Sequence, residues 1–308
     1  MPLLSKKTFI GIKAEAAQGT PVAATTADFL LAMDVDIKPN IEILERDYTH
    51  TYLDRLAHSI GKKFSTVKFK TELKTSGTAN TPEAGFIAAL QACGLINATG
   101  TFAPVSTIQS GMYGPAISCT IYVYKDGFLH SMVGSIGTVK FTLEAGKIGF
   151  AEFEFSGSYV AVASSANPAP TFGTAIVPIC YSASLTLVGV ATEIATKIEI
   201  DLGNTIAQRD DVNSANGVLG FMITGRSSKG SVDPEVIDAA AWTKLVAGTS
   251  GSTSVTLGAT SGNIIVFTMA ATQYTDVSYG DRSGILTHSA NLAFNQSAGN
   301  DCITVNFN

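Results

Sequence analysis

The chain carries little charge for its size. Only 15% of its 308 residues are Asp, Glu, Lys or Arg, whereas hydrophobic residues make up 45%; about a quarter charged is usual for soluble domains. A protein so poor in charge often covers part of its surface with a partner, so we expect a homo-oligomer. The net charge of −5 argues against a broad basic face that grips nucleic acid, but it is compatible with a conduit through which DNA slides.

Long apolar runs and paired cysteines are also missing. No segment approaches the roughly 18–20 continuous apolar residues of a membrane span, and no apolar run follows Lys6 and Lys7 as a secretion signal requires. We therefore expect no membrane anchor and synthesis in the cytosol. The cysteines lie far apart and form no C-x-x-C pair, so we expect reduced, mostly buried thiols: Cys93, Cys119, Cys180 and Cys302.

Sequence motifs that carry enzyme chemistry are absent. There is no G-x-S-x-G, no H-E-x-x-H and no G-x-G-x-x-G after a strand, and the residues at 225–230 have the wrong order for a phosphate loop. The histidines fall in separate segments: His50, His58, His130 and His288. The sequence therefore predicts a protein that is not an enzyme, with no catalytic residue, no cofactor and no metal site.

Several short segments recur in the two halves of the chain. Pro82-Glu83 and Pro234-Glu235, 152 positions apart, each precede a segment with helix signals and a following Gly. These signals predict helices over 84–93 and 236–246, with Thr81 and Asp233 as N-caps. At the same offset, alternating apolar residues predict half-buried strands over 150–155 and 302–307.

A further match, Arg46-Asp47 with Arg209-Asp210, lies at an offset of 163 positions. It predicts a loop after Arg46 that is about 11 residues longer than its counterpart. Together the matches predict a duplicated domain. Alternating patterns elsewhere, as at 66–74 and 138–144, indicate a meander of strands around one helix in each half. We predict a mainly β (α+β) protein of two tandem β-sandwich or barrel domains, residues 1–165 and 166–308, joined by a linker at about 163–173.

Two polar loops, at 47–61 and 210–217, follow the Arg-Asp pairs and lie between predicted strands. Insertions of this kind in a compact unit are usually functional or disordered. The first loop contains apolar side chains that a free loop would not display, which favours a docking function. The candidate docking residues are Arg46, Asp47, Tyr48, Tyr52, Leu53 and Leu56 in the first loop, and Arg209, Asp210, Asp211, Val212 and Asn213 in the second.

The segment 197–235 carries a resemblance to a known family. It reads K-I-E-I-D-L-G-N, then R-D-D-V-N at 209–213, then G-R-S-S-K-G-S-V-D-P-E at 225–235. This order resembles the phage tail tube protein family of long-tailed, siphovirus-like bacteriophages, in which a strand with a D-x-G-N-like turn leads to an R-D-x-V loop and a G-R-x-x-K-G-S-x-D-P-E segment. The close match covers roughly 40 residues. Elsewhere only the order of strand, long loop, strand, helix and strands agrees.

The resemblance implies a structural virion protein, made in the host cytoplasm, whose rings stack into the hollow tail tube through which phage DNA is ejected. Sheets of neighbouring subunits join edge to edge around the lumen, and the long loops dock onto the next ring. Single-copy members form six-fold rings, so a fused double copy implies a homotrimeric, pseudo-hexameric ring.

The partners implied are the chain itself, the tape measure, terminator and distal tail proteins, and double-stranded DNA in non-specific passage. The lumen should repel DNA, and the candidate lumen-facing acids are Glu72, Glu152, Glu154 and Glu199.

Other hypotheses about the function stay open at this point. A secreted or virion-surface β-sandwich that binds a receptor or glycan would share the Thr/Ser/Gly-rich composition. A tail terminator or baseplate hub ring would share the fold. An enzyme of unrecognised type would need a concave site with converging polar groups, and the sequence offers no constellation for one.

Overall fold

The chain forms antiparallel sheets with two short helices, so the mainly β prediction is confirmed. The structure is a computed structural model that describes residues 4, 6–105, 118–191 and 193–308. The elements of the first half are β1 (Thr8–Ala14), a 3-10 turn (Thr26–Asp28), β2 (Phe29–Leu30), β3 (Ala32–Leu44), β4 (Ser59–Glu72), α1 (Ala84–Ala92), β5 (Leu95–Ala98), β6 (Thr101–Pro104), β7 (Cys119–Lys125), β8 (Phe128–Glu144), β9 (Phe150–Tyr159) and β10 (Ala163–Ser164).

The second half repeats much of this succession. Its elements are β11 (Ala195–Asp201), β12 (Asn204–Asp210), β13 (Val218–Arg226), β14 (Lys229–Pro234), α2 (Ala240–Ala247), β15 (Gly251–Leu257), β16 (Ile265–Arg282), β17 (Ile285–Asn295) and β18 (Thr304–Phe307). In the described part of 165–194, which is longer than the predicted linker, the pairing consists of isolated bridges such as Thr186 with Ser254. Residues 185–190, whose sequence also predicts a strand, pair only through such bridges.

Five strands of each half lie in the same spatial order. The first half has β3-β4-β9-β8-β7 and the second has β11-β14-β17-β16-β15. The two sets join where the end of β8 pairs with β11, with Glu144 opposite Lys197 and Lys140 opposite Asp201. One hydrogen-bonded sheet therefore continues from the first half into the second.

The hairpin that opens each set has the same register. In the first hairpin Ala32 pairs with Thr71. In the second, Ala195 pairs with Pro234, and both of these residues lie 163 positions after their counterparts in the first hairpin. A bulge follows in both hairpins. The hairpins are thus of equal length, and the prediction of a first loop 11 residues longer is wrong. The unpaired tip is 45–58 in the first hairpin but only 211–217 in the second, because β12 and β13 remain paired closer to the tip.

The core is built from alternate residues of these strands. On β9, Ala151, Phe153 and Phe155 are buried, while the intervening acids point away from the core. The Phe153 ring stacks on Phe69 of β4 at 5.2 Å and meets the edge of Phe86 from α1 at 5.7 Å. Burying each ring contributes roughly 2–3 kcal/mol, and these contacts hold α1 against the sheet.

The second helix begins later than the sequence predicts. Pro234 is the last residue of β14, and α2 starts at Ala240 with Ala239 as its N-cap. Asp233 is therefore no helix cap. Its carboxylate accepts hydrogen bonds from the backbone N–H groups of Thr196 (2.9 Å) and Lys197 (2.7 Å), which keeps this segment extended beside β11.

The first helix lies close to its predicted place, but its N-cap is Glu83 rather than Thr81. Pro82 consequently lies two residues before the first helical residue, Ala84. The glycines predicted beyond the helices adopt φ angles of 82° at Gly94 and 62° at Gly248, a left-handed conformation that glycine adopts without strain.

Two further expectations from the sequence are wrong. Both β9 and β18 show the predicted alternation, but β9 lies between β4 and β8, whereas β18 pairs with β16 and β6; the equivalent of β9 is β17. The alternation at 66–74 also predicts that Lys74 points outward with Lys68 and Lys70, but its side chain is buried beyond the end of β4. Its Nζ lies 3.0 Å from Glu83 Oε1 and donates to the Gly173 carbonyl.

Candidate functional site

A charge-paired sheet face runs across β4, β9, β8, β11 and β14, on the side away from the core. The register aligns Lys68 with Glu154, and Lys70 with Glu152, across β4 and β9. The four candidate lumen acids all lie on this face: Glu72, Glu152, Glu154 and Glu199. Lysines alternate with them, so the face is close to neutral rather than acidic.

Direct ion pairs account for this near-neutrality. Lys68 Nζ lies 2.9 Å from Glu154 Oε1, and Lys70 Nζ lies 3.3 Å from Glu152 Oε1. At the junction of the two halves, hydrogen bonds from Lys140 (2.7 Å) and Lys197 (2.6 Å) lower the pKa of the Glu199 carboxyl. Exposed pairs of this kind contribute little stability, but they occupy the lysines that would otherwise attract phosphate.

The first loop, 45–58, exposes the apolar side chains that the sequence indicates as docking residues. Tyr52 is 77% exposed and Leu53 is fully exposed, while Tyr48 and Leu56 are also exposed. Within the loop, Arg46 lies over the Tyr48 ring at 5.9 Å. A surface of this composition is costly to leave in water, which fits a segment that docks onto another molecule.

The second loop, 211–217, is held against the first half of the chain. Asp210 accepts a hydrogen bond from Lys62 at 2.8 Å, which lowers the pKa of the aspartate. Asn216 contacts the first half on both sides: its carbonyl accepts from the Lys63 N–H, and its side chain donates to the Tyr159 carbonyl. Asp211 closes a turn around Asn213, and the neighbouring Val212 is 99% exposed at the tip.

An isoleucine pair occurs at the same place in both hairpins. Ile43 faces Ile60 in the first hairpin, and Ile206 faces Ile223 in the second, 163 positions later. Ile223 is only 2% exposed, because it packs with Phe221 and Ile136 in a small apolar cluster between the halves. Ile43 and Ile60 are 59% and 50% exposed.

Asn204 is a junction residue that motif reasoning did not select, although it ends the D-L-G-N turn. Its Nδ2 donates to the carbonyl of Cys93, at the end of α1, at 2.7 Å and to the carbonyl of Gly137 on β8 at 2.9 Å. Its Oδ1 accepts from Arg226 Nε at 3.1 Å. The signal that could have identified it is an amide directly after Gly203, whose φ of 63° marks a tight turn between two strands.

The described residues contain no group of three or more His, Cys, Asp or Glu side chains arranged to hold a metal ion. None of the helices they form is long and apolar enough to cross a membrane. Three of the four cysteines are buried and Cys302 is half-buried, and all four are free thiols.

Comparison with known proteins gives one family. A family model described as phage tail tube protein matches residues 5–308, and no curated protein matches the chain. The match extends the resemblance seen at 197–235 over nearly the whole length. The chain belongs to the phage tail tube protein family and is a structural component of the virion tail.

Proposed function

We propose that this chain is the repeating subunit of a siphovirus-like tail tube and that three copies form each pseudo-hexameric ring. The observation that carries the proposal is the identical strand order of the two halves, with hairpins that share one register at an offset of 163 positions. Two fused domains, residues 1–165 and 166–308, supply six domains to a ring of three chains. Such head-to-tail contacts close when the rotation permits.

The charge-paired sheet face lines the lumen in this proposal. It continues from β4 to β14 without interruption, as a tube lining requires. DNA binds proteins chiefly where lysines and arginines neutralise phosphates and release counterions. Because lysines such as Lys68 and Lys140 are already paired with acids, passing DNA meets few free cations, and it slides during ejection instead of binding.

The first loop docks onto the adjacent ring and buries Tyr48, Tyr52, Leu53 and Leu56 there. In the second loop, Val212 is the docking residue. Asp210 acts inside the chain, through Lys62, rather than at the docking surface. The remaining partners, namely the tape measure, terminator and distal tail proteins, contact the lumen and the two ends of the tube. Synthesis in the host cytoplasm agrees with the free thiols.

Negative-stain electron microscopy of the concentrated protein, together with its mass in solution, tests the proposal. We expect hollow tubes, or rings with three times the chain mass. Six chains per ring would leave the tube intact but overturn the duplicated-domain ring. A protein that stays monomeric at high concentration would overturn both.

A paired variant tests the docking loop. Leu53→Ser should abolish tubes while rings persist, because Leu53 is fully exposed and its loss removes only the axial contact. Ile176→Ser is the matched control, since Ile176 is 82% exposed outside both loops, and it should form tubes normally. Normal tubes from Leu53→Ser would remove this residue from the docking surface.

A further inference from the structure

We infer that the contact joining the two halves within one chain is repeated between chains, so that β3 of one copy pairs with the end of β16 of a second copy. The inference rests on the proposed ring and specifies its interface. The internal junction between the halves indicates which surfaces of one domain fit the next.

The internal junction has a strand pairing and a hairpin contact. β11 pairs with residues 140–144 of β8. It lies on the same edge of β8 that pairs with β7 nearer the start of the strand, at residues 128–135. Beyond β11, the hairpin β12–β13 lies against the first half, buries Ile223 and places Asn204 at the end of α1.

The matching edges of the chain have no strand partner among the described residues. β3 pairs with β4 on one edge only. On β16, β15 covers one edge as far as Thr272, while β17 covers the opposite edge as far as Arg282. Residues 273–282 thus have an open edge, at the position where β8 receives β11. An unpaired edge of this length is a ready template for a second chain.

The register follows from equivalent positions. In the first half Phe69 faces Phe153, which faces Val139. In the second half Val232 faces Ala290, which faces Val277. Residues 140–144 of β8 therefore correspond to 278–282 of β16, and residues 197–201 of β11 correspond to 34–38 of β3.

Transferring the β8–β11 register gives three side-chain pairs between copies. Asp34 faces Arg282, where the template has Lys197 opposite Glu144, so opposite charges meet in both. Arg282 also pairs with Asp233 and Glu235 of its own chain, so Asp34 would be a third acid around this guanidinium. Ile37 faces Tyr279, as Ile200 faces Phe141. Lys38 faces Ser278, where the template has Asp201 opposite Lys140. Opposite charges and aliphatic–aromatic pairs across strands both stabilise a sheet.

The hairpin contact transfers as well. Ile43 and Ile60 take the places of Ile206 and Ile223, so their exposed side chains become buried against the second half of the neighbouring copy. Ile41 takes the place of Asn204 and reaches the end of α2. Val246 is 86% exposed there, and Ile41 is 43% exposed, so an apolar contact replaces the hydrogen bonds of the internal junction.

An engineered disulfide tests the register. Lys38→Cys with Ser278→Cys, in a Cys302→Ser background, places two exposed cysteines on directly opposite positions, about 4.5–5.5 Å apart at Cα. Oxidation of the assembled protein should give covalent dimers and trimers and no longer species. The control, Lys38→Cys with Ser289→Cys, uses the serine that faces Ser278 on β17. Position 289 lies one strand farther from position 38 than position 278 does, at roughly 10 Å. The control pair should therefore cross-link about tenfold less than the pair 38 and 278.

The outcomes separate the two proposals. Tubes that form without a cross-link from positions 38 and 278, or with equal cross-linking in the control, would overturn this interface and leave the tube function standing. A protein that never assembles would overturn both. As a second variant, Ile60→Ser should prevent rings while leaving the urea midpoint of the monomer unchanged. Ring formation by Ile60→Ser as efficient as that of Ile176→Ser would also overturn the inference.

Discussion

Replacing Asn204 with Ala should lower the free energy of unfolding by about 3 kcal/mol. The side chain makes three hydrogen bonds that join β12 to the end of α1, to β8 and to β13. A neutral hydrogen bond contributes about 1 kcal/mol and one to a charged group about 1.5–3 kcal/mol. The two neutral bonds and the charged one together give about 3.5–5 kcal/mol, and the partial exposure of Asn204 lowers the expected loss to about 3 kcal/mol.

Urea unfolding of the monomer, followed by circular dichroism and by the fluorescence of Trp242, measures the change. The single tryptophan lies on α2 in the second half, so the two probes also report whether the halves separate. Asn213→Ala is the matched control, because Asn213 is exposed and its side chain donates a hydrogen bond to Asp211, two residues away in the same turn. It should change the stability by less than about 0.5 kcal/mol.

Asn204→Asp distinguishes the donor function from simple packing. An aspartate has the same shape, but it cannot donate and would place a carboxylate against the Cys93 and Gly137 carbonyls. We expect at least the loss seen with alanine. Wild-type stability in either Asn204 variant would mean that this amide does not hold the two halves together.

Three further predictions concern buried and paired groups. Glu15→Gln should lower the free energy of unfolding in urea by about 3 kcal/mol. Each oxygen of the Glu15 carboxylate accepts two hydrogen bonds, and the amide loses two of the four, which come from Gly19 N, Ser118, Thr120 and Gly134 N. A loss no larger than that of the exposed Glu45→Gln would contradict this prediction. Because Lys140 and Lys197 lower the pKa of Glu199, its stabilisation should be complete above the ordinary carboxyl pKa of 4.5 and disappear as the pH falls through the lowered value. Stability curves for wild type and Glu199→Gln should therefore converge at acid pH, and a constant gap would argue against the ion pairs. Burial raises the pKa of the Cys93 and Cys119 thiols, so both should resist a thiol reagent until the protein unfolds, whereas rapid labelling of either in the native protein would be inconsistent with the fold.

Local patterns in the sequence predicted the half-buried strands such as β9 and the burial of most of the cysteines. Alternation at 150–155 predicts which residues of β9 are buried, because neighbouring side chains of any strand point to opposite faces. The same generality explains the mistaken match at 302–307: any half-buried strand shows that alternation, so it does not identify equivalent strands. Of the two offsets seen in the sequence, 163 corresponds to the strand register, whereas 152 does not.

The Pro-Glu match failed for a reason that lies far away in the chain. Pro82-Glu83 precedes a helix, but Pro234 ends a strand, because Asp233 binds the backbone of Thr196 and the side chain of Arg282. Helix signals are local, and long-range contacts such as these override them. Lys74 is another case, since its place in the alternation at 66–74 predicts an exposed side chain, whereas its ion pair with Glu83 holds it inside.

The class of fold, the family resemblance, the two polar loops and the apolar side chains of the first loop followed from the sequence alone, because each depends on residues that are near one another in the chain. Which strands are neighbours and which surfaces are left open depends on contacts between distant parts of the chain, so it became visible only in the folded structure. Ile43–Ile60 and Ile206–Ile223 are the same residues in the same cross-strand pairing, yet one pair is exposed and the other is largely covered. The difference comes from what lies next to each hairpin in space: the first half of the chain covers the second hairpin, and nothing in the described chain covers the first.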